Sequence, residues 1–439
     1  MRLLRGGPWR PTLLSVRLLA PLLLVALLAG SARADDPPAP FAWGDFTWVN
    51  GQSRQKDFPL AFGKYLTLDL YLDVYYAFSL NRPYDDTITG SSTLSRHNEL
   101  QINLASIGVS WSYRHVIGKL ALQYGTMINI VQDLDGSVAR GRGISAANLR
   151  YIREATLGYH WDRAAGVNLE AGIFLSYIGM ESYLLAENWL YSRSLACDAT
   201  PFYFQGLRAQ IFPNTKVKIE LWLMNGWQTY AKWGFAPAGG LAVRWSPREW
   251  ISVVANFYLG ADTKGVSDRI RFHHDDSINV RMYSRPMSRG LSKLAASINN
   301  HGGFEDGGLG LPGYRDAYVG ASALSVRAWF HRDLVAVTVR GEYFTNPSRY
   351  LAQFPPPSLA SAPGTSLQVW GATGGIELMP TDFFSVRAEA TWRHADVPYF
   401  AGPGGTTSSD GFLPTAANAF TPSVRRDQTL LILAANFRL

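Results

Sequence analysis

The chain of 439 residues is 47% hydrophobic and 13% aromatic but only 17% charged, too apolar for a disordered polymer and leaner in charge than the roughly 25% of soluble domains. Its formal charge of +7 is concentrated at the start: Arg2, Arg5, Arg10, Arg17 and Arg33 stand without an acid in residues 1–34, so 36 bases face 34 acids beyond them. A near-neutral remainder has no electrostatic footprint for nucleic acid, which is excluded as a partner.

The Arg-bearing opening, the apolar run from Leu18 to Ala29 and the small-residue site Ala32-Arg33-Ala34 read as a signal peptide over 1–34. The apolar run is too short to cross about 30 Å of hydrocarbon as a helix. Asp35, not Cys, follows the expected cut, so no lipoprotein anchor is indicated. Residues 35–63 read as a periplasmic leader and 64–439 as an outer-membrane barrel. Cys197 is the only cysteine, which excludes an intrachain disulfide.

Beyond the presequence no run approaches 18 apolar residues, so membrane insertion would have to use strands, whose signature is period two. Residues 64–78 carry it best: Leu66, Leu68, Leu70, Leu72, Val74, Tyr76 and Phe78 share one face, Thr67, Asp69, Tyr71, Asp73 and Tyr75 the other. Similar alternation recurs at 119–124, 167–175, 217–223 and 384–392, while a phase change after Leu104 predicts a bulge near Ala105-Ser106. Short turn sequences at 112–116, 162–165, 213–215, 246–249, 331–333 and 380–382 alternate with long connections at about 79–95, 131–148, 179–199, 229–237, 262–314, 346–366 and 395–427. The fold class expected is therefore an all-β, transmembrane, antiparallel up-and-down β-barrel of about 14 strands, with short periplasmic turns and long extracellular loops. Counts of 12 or 16 stay open, because the extracellular insert at 262–314 has room for a hairpin around Arg269 to Tyr283.

Aromatics beside the short turns, among them Trp111, Tyr113, Trp161, Trp245, Trp250, Trp329 and Phe384, suggest an inner girdle. Tyr75, Tyr76, Phe78, Phe202 to Phe204, Trp227, Tyr258, Tyr343 and Phe344 suggest an outer one.

Several separated segments in order are similar to one family: Asp45-Phe46-Thr47-Trp48-Val49-Asn50-Gly51, Gly172-Ile173-Phe174-Leu175-Ser176-Tyr177-Ile178-Gly179, Asn188-Trp189 with Tyr191-Ser192-Arg193-Ser194, Asn225-Gly226-Trp227-Gln228, Phe272-His273-His274-Asp275-Asp276-Ser277, Asn346-Pro347-Ser348-Arg349-Tyr350 and Val397-Pro398-Tyr399-Phe400-Ala401-Gly402-Pro403. With these the mature chain resembles, over nearly its whole length, the OmpL-like β-barrel porins of Gram-negative outer membranes. The resemblance implies an outer-membrane barrel with a channel role and brings no catalytic residues. One departure is the end, where Arg438-Leu439 follow Phe437 in place of a terminal aromatic.

On this register the pore-lining candidates are Asp69, Asp73, Glu99, Lys119, Glu154, Glu170, Lys218, Glu220, Arg327, Arg340, Glu342, Arg387, Glu389 and Arg393. Acids on early strands and Arg on late ones would set a transverse field, unless the charges pair across neighbouring strands. A loop folding inward would supply the constriction, with Glu181, Glu187, Arg193 and Asp198 as its charged candidates; an outward cap on the rim is the alternative.

Enzyme signals are poor. His273-His274-Asp275-Asp276 has metal-ligand residue types, but neighbours on a strand point to opposite faces and do not close on one ion. A polar hairpin is expected there, with no metal and no cofactor. His97, His115, His160, His301, His331 and His394 show no hydrolase-type Ser spacing. The expected function is passive diffusion of small hydrophilic solutes through a wet, charge-lined lumen. A plugged structural or ligand-binding barrel is the alternative, and an embedded hydrolase the third. Expected partners are outer-membrane lipid, the solutes and, during biogenesis, the barrel-assembly machinery; a homo-oligomer is not readable.

Overall fold

The computed structural model describes residues 39–133, 135, 137, 144, 146–232, 234, 236–263, 266–351, 366–408, 411 and 420–439; the signal peptide expected over 1–34 lies outside them. The period-two segment at 64–78 forms β1 (Leu66–Ser79), with Tyr71, Asp73, Tyr75 and Ala77 buried inside and Leu66 and Leu72 exposed outside. Next come β2 (Leu100–Tyr113), β3 (Val116–Tyr124), β4 (Ile152–Trp161), β5 (Val167–Leu175), β6 (Tyr203–Asn214), β7 (Val217–Met224) and β8 (Ala238–Arg248). The second half holds β9 (Ile251–Gly260), β10 (Ile270–Ser284), β11 (Leu291–Asp306), β12 (Tyr318–Phe330), β13 (Val335–Thr345), β14 (Gln368–Thr381), β15 (Phe384–Ala395) and β16 (Asp427–Arg438).

Every strand pairs antiparallel with its neighbours in sequence, and β16 returns to β1 with Leu433 opposite Tyr76, closing a ring of 16. Leu70 and Leu439 exchange backbone hydrogen bonds at 2.8 and 2.9 Å across that seam. A closed ring leaves no strand edge to satisfy in lipid. A two-residue segment, Ala61–Phe62, adds only a bridge to β1.

The ring therefore has 16 strands, the upper of the open counts. The extra pair is β10–β11, inside the 262–314 segment. Its period is hard to read because both faces are polar: His273, Asp275, Ser277 and Asn279 are buried inside, while His274 and Asp276 face outward. The outward Asp276 is held by Asn300 Nδ2 at 2.9 Å and contacts His274 Nε2 at 3.2 Å. The expected bulge in β2 sits slightly earlier, where the register against β1 shifts between Ile102 and Leu104.

Elsewhere the wall is oily outside: Leu100, Leu157, Val339, Ile376 and Leu433 are each more than half exposed. Tyr113, Trp161, Trp245, Trp250 and Phe384 stand exposed near the short turns, as a girdle requires. Trp329, Tyr75, Phe202, Phe204, Tyr258 and Phe344 do not join a girdle; they are buried in clusters facing the lumen. Aromatic type near a turn does not fix which face a side chain takes.

The lumen is filled from both ends. Helix α1 (Thr126–Asp133) tucks Met127, Ile128 and Val131 against Tyr71, Leu104 and Phe202. From the end with the short turns, Phe46, Trp48 and Val49 pack with Trp189, Trp329, Ala295 and Ala336. This stretch belongs to the segment expected as a periplasmic leader over 35–63, and its Trp48 is 1% exposed. An indole, a Phe and a Val are costly to leave in water, and the barrel interior offers them apolar partners. Trp48 Nε1 donates to Glu249 O and Trp189 Nε1 to Trp48 O, both at 3.0 Å.

Candidate functional site

The connection at 176–202, between β5 and β6, turns inward and lies against the late-strand wall. Its peptide groups would be orphaned there without polar partners, and the wall supplies them. Arg387 donates to Leu185 O at 2.8 Å and Asn188 O at 3.0 Å, and Arg327 to Trp189 O at 2.6 Å. Arg340 reaches Ser192 O at 2.7 Å and Arg193 O at 3.2 Å, and Arg393 meets Arg193 O at 2.8 Å. The loop's amides are taken by carboxylates: Glu389 accepts from Tyr191 N at 2.7 Å, Glu342 from Leu195 N at 2.8 Å. Asp73, on the far side of the seam, accepts from Tyr191 Oη at 2.9 Å. Arginine suits this work because one planar fork can serve a carbonyl and a carboxylate together.

The charges cancel locally. Glu377 sits between Arg327 at 2.5 Å, Arg387 at 2.9 Å and Arg54 of the inserted N-terminal segment at 2.7 Å. Glu342 pairs with Arg393 at 2.9 Å, and Glu181 of the loop with Arg340 at 3.0 Å. Thus Asp73, Arg327, Arg340, Glu342, Arg387, Glu389 and Arg393 face inward, where they meet a folded loop and not open water.

On the early strands, Asp69 pairs with Arg153 at 2.7 Å and Arg438 at 3.2 Å, Lys119 with Glu154 at 2.6 Å, Glu170 with Arg208 at 2.6 Å and Lys218 with Glu220 at 2.9 Å. Glu99 precedes β2 at the outer rim and pairs with Arg96 at 2.6 Å, so it borders the mouth and does not line the lumen. The separation of early acids from late arginines does not survive: Arg153 and Arg208 lie on early strands and Glu377 on a late one. Pairing across strands replaces the transverse field.

All four loop candidates are placed. Glu181 and Arg193 are buried, the latter over the Phe202 ring at 4.5 Å. Glu187 bonds Ser182 Oγ at 2.6 Å and pairs with Arg438. Asp198 accepts from Ser92 N at 3.3 Å and also from its hydroxyl. Burial pushes the Cys197 thiol up to about 12, which makes it inert at neutral pH. Glu377, Arg153, Arg208 and Arg54 were not among the expected residues; Glu377, ten residues before Arg387 across a short turn, was the pairing signal available.

Two polar cavities remain. One of about 320 Å³ lies between the loop residues Glu181, Tyr183 and Arg193 and the wall residues Glu154, Arg208, Lys218, Glu220 and Arg244. The other, about 260 Å³, is lined by Arg54, Lys56, Glu187, Lys293, Arg327 and Glu377. Val49 and Gln52 line both.

The family described as "Putative beta-barrel porin-2, OmpL-like" matches residues 65–439. The chain belongs to that family. No curated protein matches it. Similar solved structures include OprB of Pseudomonas putida, at 9% identity over 86% of this porin and 94% of that chain, TM-score 0.52. The anion-selective porin from Comamonas acidovorans aligns at 9% identity over 85% and 99%, TM-score 0.50. The outer membrane channel DcaP of Acinetobacter baumannii aligns at 11% identity over 85% and 97%, TM-score 0.50. At such identities they show the shared barrel fold. Family and fold together make the chain a porin-like outer-membrane barrel.

Proposed function

We propose that this porin passes small hydrophilic solutes by diffusion through a narrow wet route beside the docked loop. The observation that carries the reading is the asymmetry of the filling. Arg327, Arg340, Arg387 and Arg393 hold the loop against the late strands, and the larger cavity opens on the opposite wall between the loop and Glu154, Arg208, Lys218, Glu220 and Arg244. Charges of both signs on a confined passage would grade solutes by size and charge. Cleavage after Ala34, the outer-membrane lipid partner, delivery by the assembly machinery and the absence of catalysis belong to the same proposal. The test is planar-bilayer recording of the refolded full chain. Discrete ion steps of small conductance are expected. A correctly folded barrel with no steps favours the second reading, a plugged structural or binding barrel, to which the burial of Trp48, Trp189 and Tyr191 lends support.

A further inference from the structure

In the strand pair β10–β11, positions two apart share a face and Asp275 stands directly opposite His301. This brings His273, Asp275 and His301 together on the inner side, their ligand atoms all within 4.8 Å of one another. The three are 1%, 1% and 4% exposed. Adjacent residues in the His273-His274-Asp275-Asp276 run do point apart, as the sequence implies; alternate ones converge, and the neighbouring strand adds the third.

The hydrogen bonds around the two rings allow an assignment of their protons that leaves the two facing nitrogens free. Asn299 Nδ2 donates to Asp276 O at 2.8 Å, so Asn299 Oδ1 is the group 2.8 Å from His301 Nε2. His301 Nε2 therefore carries the proton and Nδ1 is a bare lone pair. Tyr350 donates its hydroxyl proton to Phe272 O at 2.9 Å, so its oxygen accepts from His273 Nδ1 at 3.3 Å. That leaves His273 Nε2 bare as well. These two bare nitrogens face each other at 3.1 Å. That gap is filled either by a proton moved from His273 Nδ1 to Nε2 or by a cation held between both nitrogens, and the third ligand beside them favours the cation. Zinc–nitrogen bonds of about 2.0–2.1 Å in a tetrahedral site put neighbouring ligand atoms about 3.3 Å apart, close to the spacing seen. An oxygen partner on the far nitrogen of each ring is also the outer support that metal-binding histidines have.

We infer that His273, His301 and Asp275 form a binding site for a divalent ion of the zinc class, for which two imidazoles and a carboxylate are suited ligands. The site staples three parts of the protein. Asp275 Oδ1 accepts from Gly179 N of the inward loop at 3.1 Å, Asn299 Oδ1 accepts from Cys197 of the same loop at 3.4 Å, and Tyr350 belongs to the connection after β13.

The test uses the full chain without a polyhistidine tag, refolded in detergent, stripped with chelator and titrated with Co²⁺, then with Zn²⁺ in competition. Expected are one Co²⁺ per barrel with ligand-field absorption bands that Zn²⁺ displaces. H273A and H301A should each weaken binding at least about 100-fold, and Tyr350→Phe, which removes an outer support, about 10- to 100-fold. H274A, on the outward face, should bind as the parent does. Because a buried-ring variant can fail to refold, the parent chain is decisive alone: a heat-modifiable, correctly folded barrel with no ligand-field bands overturns the inference. So does undiminished binding by folded H273A, or imidazole nitrogen resonances showing a single proton shared by the two rings in a chain that takes up no metal.

Discussion

Replacing Arg340 with Ala removes a group that joins the inward loop to the wall at several points. Glu181, 3.0 Å away and 5% exposed, keeps the Ser194 amide at 2.6 Å but loses its counter-ion, and Ser192 O loses a charged donor at 2.7 Å. Removing one partner of a buried ion pair costs about 3–5 kcal/mol, which is about two to four decades in an equilibrium constant. Arg327 and Arg387 still hold Leu185 to Trp189, and Arg393 still meets Arg193 O, so the cost falls on the segment around 190–198 and does not eject the whole loop. Cys197 lies in that segment, fully buried. The assay is the rate of maleimide labelling of Cys197 in the folded barrel, with single-channel recording alongside. R340A should label at least about 100-fold faster than the parent and show noisier or larger openings. If folded R340A labels and conducts like the parent, the clamp argument is wrong.

Three other outcomes follow from the structure. Gly172 in β5 has φ +146° and a Cβ there would lie 1.9 Å from Ala155 O; Gly172→Ala should cost about 1–3 kcal/mol in backbone strain alone, read as a lost folded band on semi-native gels, and a normal band would contradict it. Arg244 borders the larger cavity with Gln52 Oε1 at 2.9 Å and the Phe41 ring at 4.5 Å as its partners; Arg244→Glu should move the reversal potential in a KCl gradient toward cation preference, and an unmoved potential would count against this cavity as the route. Burial alone would raise the Asp85 carboxyl, but the Thr406 and Thr407 amides and the Thr407 hydroxyl hold it below the usual carboxylate range. A lowered folded value stabilises above the ordinary value near 3.9 and is lost as pH falls through the folded one. Asp85→Asn should therefore speed proteolysis of the 396–426 connection at pH 7, by a margin that shrinks as pH falls below the ordinary carboxylate range; equal rates at pH 7 would refute it.

Much of the wall was legible because a lipid-facing strand must alternate, and Leu66 to Phe78 does so without interruption. The hairpin β10–β11 was legible only as an open alternative, since His274 and Asp276 put polar groups on the outer face and break the hydropathy period while leaving the backbone pattern intact. Inward orientation of the strand-borne charged candidates was readable for the same reason as the wall, from parity along each strand; Glu99, just outside its strand, was misplaced by that rule. Their backbone partners were not readable: carbonyls of Leu185, Trp189 and Ser192 have no sequence signature, and Arg327, Arg340 and Arg387 bind these as well as carboxylates. The inserted N-terminal stretch was missed because its Pro-rich approach looks like a tether, whereas Phe46, Trp48 and Val49 need a dry partner that only the assembled lumen provides.

Arg438 stands on the strand that closes the ring, yet its guanidinium also pairs with Glu187 of the docked loop and Asp69 of β1. Shutting the cylinder and seating its contents are thus one event as far as this side chain is concerned. A half-built wall would hold its cargo loosely, and the interior would set only once the two ends of the sheet had met.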